Sequence, residues 1–196
     1  MKTIAFAAIA GLAAAASAQN FSLTIVPSST MIDTTSGPVT FTMTVFGDAD
    51  FGSHLLGGAF AVASSGDSDV VQSMAWTAAS WSQFNTDGGD AGNGNYNQVV
   101  FGQLVIPGIF PPAPGSELGS AIGSFEVTVD GMGDVEFQLT AGSPFSLETV
   151  DSVLGDTMND GGAISHGSSG VISVVPAPSA MALLGLGGLV AGRRRR

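Results

Sequence analysis

The feature that most constrains this chain is a two-residue alternation of apolar side chains with hydroxyl or acidic ones, met again and again along it. Val39, Phe41, Met43 and Val45 alternate with Thr40, Thr42 and Thr44, and Phe21, Leu23 and Ile25 with Ser22 and Thr24. Phe125, Val127 and Val129 alternate with Glu126, Thr128 and Asp130, and Val135, Phe137 and Leu139 with Glu136, Gln138 and Thr140. Successive side chains of a strand point to opposite faces, so each run has one face for a core and one for water. Two such sheets packed face to face bury their apolar sides together, which predicts an all-β, antiparallel β-sandwich. The expected core positions are Phe41, Met43, Val45, Phe125, Val127, Val129, Phe137 and Leu139. No sustained helical period interrupts the pattern.

Less regular strands are expected over 58–64, 70–76, 98–106 and 171–175, and a short helix or turn over 75–82. The Gly131-Met132-Gly133-Asp134 connection reads as the turn of a β-hairpin between the last two regular strands. Segments rich in Gly, Asp and Asn at 47–52, 87–97 and 156–167 supply turn chemistry. The Pro-rich stretch 107–115 is a stiff, exposed connection that cannot enter a sheet interior. Residues 154–170 are expected to be loosely ordered, and no internal repeat is visible.

Charge excludes several partners. All five Lys and Arg lie at the two ends, as Lys2, Arg193, Arg194, Arg195 and Arg196. All sixteen Asp and Glu lie between residues 3 and 192, where no fixed cation occurs, so that stretch carries sixteen negative charges against none. Such a surface cannot neutralise phosphates, which excludes nucleic acid as a partner, and it is repelled by anionic headgroups. It does attract divalent cations. There is no Cys, so the fold rests on its core rather than on disulfides. About 155 residues remain once the ends are set aside, one domain with enough chain for a real core.

Those ends read as targeting segments. Lys2 precedes an apolar run over 4–16, and Ala16-Ser17-Ala18 fits small-residue cleavage, with Ala16 and Ala18 as the recognised positions. This predicts a signal peptide over 1–18 and a mature start at Gln19. The run is too short to span a bilayer, and polar Gln19 and Asn20 follow at once. At the other end, Val175-Pro176-Ala177-Pro178-Ser179 leads into an apolar run over 180–192 and then four arginines. The prolines keep the motif extended and open to an enzyme. The apolar run partitions into the membrane as a hydrophobic sorting helix, and the arginines hold its end on the cytoplasmic side. Its 13 residues make roughly 20 Å of helix against a hydrocarbon core of about 30 Å. It therefore spans by beginning near Pro178 and thinning the bilayer locally. The expected organisation is signal peptide 1–18, β-sandwich body 19–174, and tail 175–196.

This order of motif, short apolar stretch and terminal Arg cluster resembles the PEP-CTERM sorting signal of bacterial exported proteins. The resemblance covers about 20 residues. Pro176 and Pro178 match its Pro-Glu-Pro pattern, while Ala177 stands where the Glu would be. It implies that the tail is recognised and processed by an exosortase, a membrane-embedded cysteine protease, with Pro176, Ala177, Pro178 and Ser179 as the sorting motif and Arg193 to Arg196 as the cytoplasmic stop. A plain membrane anchor is the alternative. The body is similar to cohesin-like and carbohydrate-binding β-sandwiches in Gly58-Ala59-Phe60-Ala61-Val62, in Val70-Val71-Gln72-Ser73-Met74, and in the run from Ile122 to Val129. That likeness implies a strand pair and a sheet-forming run of a sandwich of jelly-roll type.

Catalytic signatures are sparse. His54 and His166 are the only histidines, expected as solvated loop residues, and Gly167-Ser168-Ser169-Gly170 lacks the spacing of a nucleophile elbow. No His pair or Cys has zinc-ligand spacing, and no Lys is available for a phosphate loop. The acids offer many carboxylate pairs for glycoside hydrolysis, but mostly at turn and solvent-face positions. No cofactor motif occurs. Asp87, Asp90, Asn93 and Asn95 crowd oxygens into one Gly-rich loop, as a calcium site or as Asx-turn chemistry, the second being the simpler reading. Trp76, Trp81, Phe84 and Tyr96 form either a sugar-stacking row or core, again the simpler reading. Together these readings predict a non-enzymatic cell-surface or matrix protein of structural or adhesive role, in contact with the membrane and with extracellular polysaccharide. A carbohydrate-binding module is the alternative, and a hydrolase the third choice.

Overall fold

The computed structural model describes residues 20–175. The cleavage positions Ala16 and Ala18, the motif Pro176, Ala177, Pro178 and Ser179, and the four arginines lie outside the described residues.

Thirteen strands follow in chain order among them. They are β1 (Phe21–Pro27), β2 (Met31–Asp33), β3 (Val39–Ala49), β4 (His54–Gly66), β5 (Val71–Ala78), β6 (Asp90–Gly92) and β7 (Asn95–Gly102). Then come β8 (Ala121–Val129), β9 (Gly133–Ala141), β10 (Glu148–Val150), β11 (Thr157–Asn159), β12 (Ile164–His166) and β13 (Ser168–Val175). The sole helical element among the described residues is one 3-10 turn, Ser68–Val70. No helix there is long and apolar enough to cross a membrane.

The first sheet runs β12-β1-β3-β8-β5 and the second β11-β10-β4-β9-β13-β2, with β7 also on β4 and β6 on β7. Strand β4 organises the second sheet. Phe60 pairs with Val99 of β7 and Ala141 of β9, and Gly57 with Gly102 of β7 and Glu148 of β10. Strands β9 and β10 therefore share one edge of β4 in succession, and β7 holds the other.

The alternation sets which side chains meet. Met43 is opposite Phe125, and Phe125 opposite Trp76, so one inward row crosses three strands of the first sheet. All eight expected core residues are buried, whereas Thr42 and Thr44 lie on the outer face. Phe60 of the second sheet reaches Trp76 at 5.4 Å and Phe125 at 6.3 Å between ring centroids, both edge-on, which ties the sheets together. Each large apolar side chain buried this way contributes about 1.5–3 kcal/mol. Among the described residues the strands pair with one another and one buried cluster spans both sheets, which is core enough for residues 20–175 to fold alone.

Four expectations are corrected. The sandwich is mixed rather than wholly antiparallel, because β12 lies parallel to β1 and β2 parallel to β13. Each of these three-residue edge strands arrives by crossing from the other sheet, and only a crossover allows parallel pairing. Strands β8 and β9 are not a hairpin, since β8 lies in the first sheet and β9 in the second. The Gly-rich connection carries the chain across the sandwich, and the two apolar faces meet through the core. Residues 75–82 complete β5 and then turn, closed by Ser82 N–H donating to the Ala79 carbonyl. The 154–170 segment contains β11 and β12 rather than loose chain, and leads into the last strand, β13.

Candidate functional site

The Asp87–Asn97 loop is a hairpin folded over a sheet edge. Asn93 and Gly94 both take positive φ, 50° and 72°, as a two-residue hairpin turn requires, and they join β6 to β7. Strand β5 is the last strand of the first sheet, and the loop meets its open backbone. Asp90 accepts the Met74 N–H at 2.8 Å through one oxygen and the Gly92 N–H at 2.7 Å through the other. The buried Tyr96 hydroxyl accepts the Trp76 N–H at 3.2 Å and donates to Asp87 at 2.7 Å. Burial first, and then the Asp87 bond, push the phenol up to about 12. Asn95 accepts the Ser64 N–H at 3.2 Å through its side-chain oxygen. Of the four residues considered as calcium ligands, the Asp87, Asp90 and Asn95 side chains thus turn to different neighbours, and Asp90 with Tyr96 clasps β5 to the second sheet. Among the described residues, no three His, Asp or Glu side chains are grouped to hold a metal ion.

The aromatic row is not a sugar platform. Trp81 and Tyr96 are buried, and the Trp81 indole donates to the Ala121 carbonyl at 2.8 Å. Trp76 packs 4.7 Å from Phe125, its indole nitrogen enclosed without an acceptor. Phe84 alone is exposed. Inward positions of β5 and β7 claimed Trp76 and Tyr96 for the core, and the turn after β5 brings Trp81 there.

The histidines are not solvated loop residues either. His54 opens β4, and its Nδ1 lies 2.9 Å from the Ser53 hydroxyl, which is also bonded to Ser152. His166 ends β12 with Nε2 3.1 Å from the Ser146 hydroxyl, and burial lowers its pKa against the raising effect of Asp160. Ser146, His166 and Asp160 have the composition of a triad without its geometry. Asp160 turns one oxygen to the Ser146 and Leu147 N–H groups at 2.7 and 3.0 Å, and the other to Gly162 N–H at 2.8 Å. Ser146 is 2% exposed and accepts the Gly142 N–H at 3.2 Å, so no substrate reaches its oxygen. The trio fixes the connection from β9 to β10, which lie in succession along β4. Sequence reasoning passed over Ser146 and Asp160; the Asp160-Gly161-Gly162 turn signal was there, but nothing tied it to Ser146.

One end of the sandwich exposes apolar loops. Residues 106–110 form a tight turn in which Ile106 N–H donates to the Phe110 carbonyl at 2.8 Å, and Ile109 and Phe110 N–H donate back to Ile106. The neighbouring turn is held by Asp151, which caps the Val153 and Leu154 N–H groups at 2.8 and 2.9 Å. The two turns touch, since a Cβ on Gly155 would stand 2.7 Å from the Pro107 ring. Their tips, Ile109, Phe110, Val153 and Leu154, are 67, 50, 82 and 71% exposed.

No protein-family model and no curated protein matches this chain. Solved structures similar to it include cohesin modules. One is the cohesin module of a family 33 glycoside hydrolase from Clostridium perfringens, at 8% identity and TM-score 0.43, covering 80% of this chain and 98% of the module. Another belongs to the OlpA cohesin–dockerin complex of Clostridium thermocellum, at 9% identity and TM-score 0.43, with 79% and 99% covered. A third is the seventh ScaB type I cohesin of Pseudobacteroides cellulosolvens, at 13% identity and TM-score 0.41, with 81% and 93% covered.

Proposed function

We propose that this chain is an exported surface or matrix protein, sorted through a PEP-CTERM-like tail, whose body is a non-enzymatic adhesive module. The carrying observation is the junction of body and tail. Strand β13 runs to Val175, the last described residue, and Pro176 is next in the sequence, so the paired strand and the motif, apolar run and Arg cluster are adjacent along the chain. The polar groups that chemistry would need, among them Asp87, Asp90, Asp160 and His166, hold backbone and loops instead. With Trp81 and Tyr96 in the core, the carbohydrate-binding alternative loses its stacking row.

The ends of the body give it a direction. Asn20 is bonded to Asp50 beyond the Ala49 end of β3, beside the apolar loops. Val175 is paired with Asp33, near Gly131, at the Val39 end. A body hung from the membrane by residues 176–196 therefore presents its apolar loops outward.

Fractionation and intact mass in the native host test the reading with two variants. Deleting Arg193 to Arg196 should release the protein, because each Arg at a helix centre costs about 2.5–3.5 kcal/mol to insert and four together are a strong stop. Replacing Pro176 and Pro178 should leave membrane insertion intact and abolish the processed form. Normal processing of the proline variant overturns the sorting signal and leaves a plain anchor.

A further inference from the structure

We propose that the paired tips Ile109–Phe110 and Val153–Leu154 form a docking surface for a protein segment that is apolar at its centre and basic at its rim. Exposed apolar groups scattered singly need no explanation, but four of them on two turns that meet at Pro107 and Gly155 mark an interaction site. The loops are built to hold this shape. Three backbone hydrogen bonds close the 106–110 turn, the Asp151 cap fixes the other, and Pro107 packs on Gly155 between them. The tips are thus presented in set positions rather than collapsed onto the body.

Charge identifies the partner. Asp151 and Asp156 lie in the second turn, and Glu117 is exposed on the segment bridged to His54 at the same end. The Leu154 and Val153 N–H groups hold the Asp151 pKa below its usual value, which favours the charged carboxylate. No Lys or Arg lies anywhere in the body, so every charged group that pairs with this rim must be positive. A second copy brings the same acids face to face, and an anionic bilayer meets the same repulsion. Charge complementarity therefore favours a basic protein partner. The outward orientation of the tips rests on the tail reading above; the binding does not, so fractionation tests one and a titration with the isolated body tests the other.

The test uses the body, residues 20–175, and two synthetic helical peptides of equal positive charge. One has Leu along one face and Lys along the other; the second has Ser in place of each Leu. Fluorescence anisotropy should show the Leu peptide binding about tenfold or more tightly than the Ser peptide. In the double variant Phe110→Ser with Leu154→Ser the ratio should fall to about one, while the thermal midpoint stays unchanged because both side chains are exposed. Equal affinity for the two peptides, or a preference that survives in the variant, overturns the proposal. So does concentration-dependent dimerisation, or adsorption to phosphatidylcholine vesicles, that the same variant abolishes, since those outcomes assign the tips to a second copy or to lipid.

Discussion

Removing one oxygen atom, by Tyr96→Phe, tests whether the acidic loop is a clasp on a sheet edge. The aromatic ring is retained, and with it the edge-on contact to Phe125 at 5.0 Å. What is lost is the acceptor for the Trp76 N–H and the donor to Asp87. A buried unsatisfied N–H costs about 1–3 kcal/mol, and water compensates much of the loss at the exposed Asp87, so the total should be about 2 kcal/mol. For a domain of this size that corresponds to roughly 4–8 °C in thermal midpoint. Thermal and urea unfolding at neutral pH measure it, and hydrogen exchange at the Trp76 amide localises it. The alkaline limb gives a second reading of the same bond. A folded-state pKa raised to about 12 over the ordinary 10 means the stabilisation is complete below about pH 10 and is lost as pH rises toward 12. Tyr96 is the only tyrosine in the chain, so phenolate absorbance reports it alone. A loss under about 0.5 kcal/mol, or a native phenol titrating near pH 10, would refute the reasoning.

The β9–β10 connection should be intolerant of any side chain at Gly58, where a Cβ would stand inside the contact distance of the Ser146 carbonyl oxygen. Gly58→Ala should cost about 2 kcal/mol or more by overpacking against backbone, measured by urea unfolding, and a near-neutral result would contradict this packing. Acid should loosen the same region. Because burial depresses the His166 pKa in the folded state, its contribution is complete above about pH 6.5 and is lost as pH falls below it. His166→Gln should flatten that part of the pH–stability profile, and an unchanged slope would show that the imidazole is not responsible.

Much of the sandwich was legible because the side-chain period of a strand is two: Phe41 to Val45 and Phe125 to Val129 declare their buried face without knowledge of their neighbours. Pairing was less legible. The Gly131-Met132-Gly133-Asp134 connection has hairpin composition, yet a turn that joins neighbours and one that crosses between sheets need the same permissive residues. Parallel edges were hidden for a related reason, since β2 and β12 are three residues long and show too little alternation to be seen. The aromatic residues illustrate the limit for sites. Trp76, Trp81 and Tyr96 are near one another in sequence, but the inward positions of β5 and β7, not that nearness, put Trp76 and Tyr96 into the core. The oxygen-rich loop could be read as turn chemistry, but that Asp90 and Tyr96 satisfy β5 amides depends on register and not on composition. The apolar tips stood in plain view as Ile109-Phe110 and Val153-Leu154, and only the fold brings the two turns together.

Export followed by tail processing is the central claim, and intact mass spectrometry of the protein recovered from its native envelope tests it most directly. The account predicts a chain that begins at Gln19 and ends within or beside Pro176-Ala177-Pro178, with no Arg193 to Arg196. A mature species running from Met1 through Arg196 would contradict it at both ends.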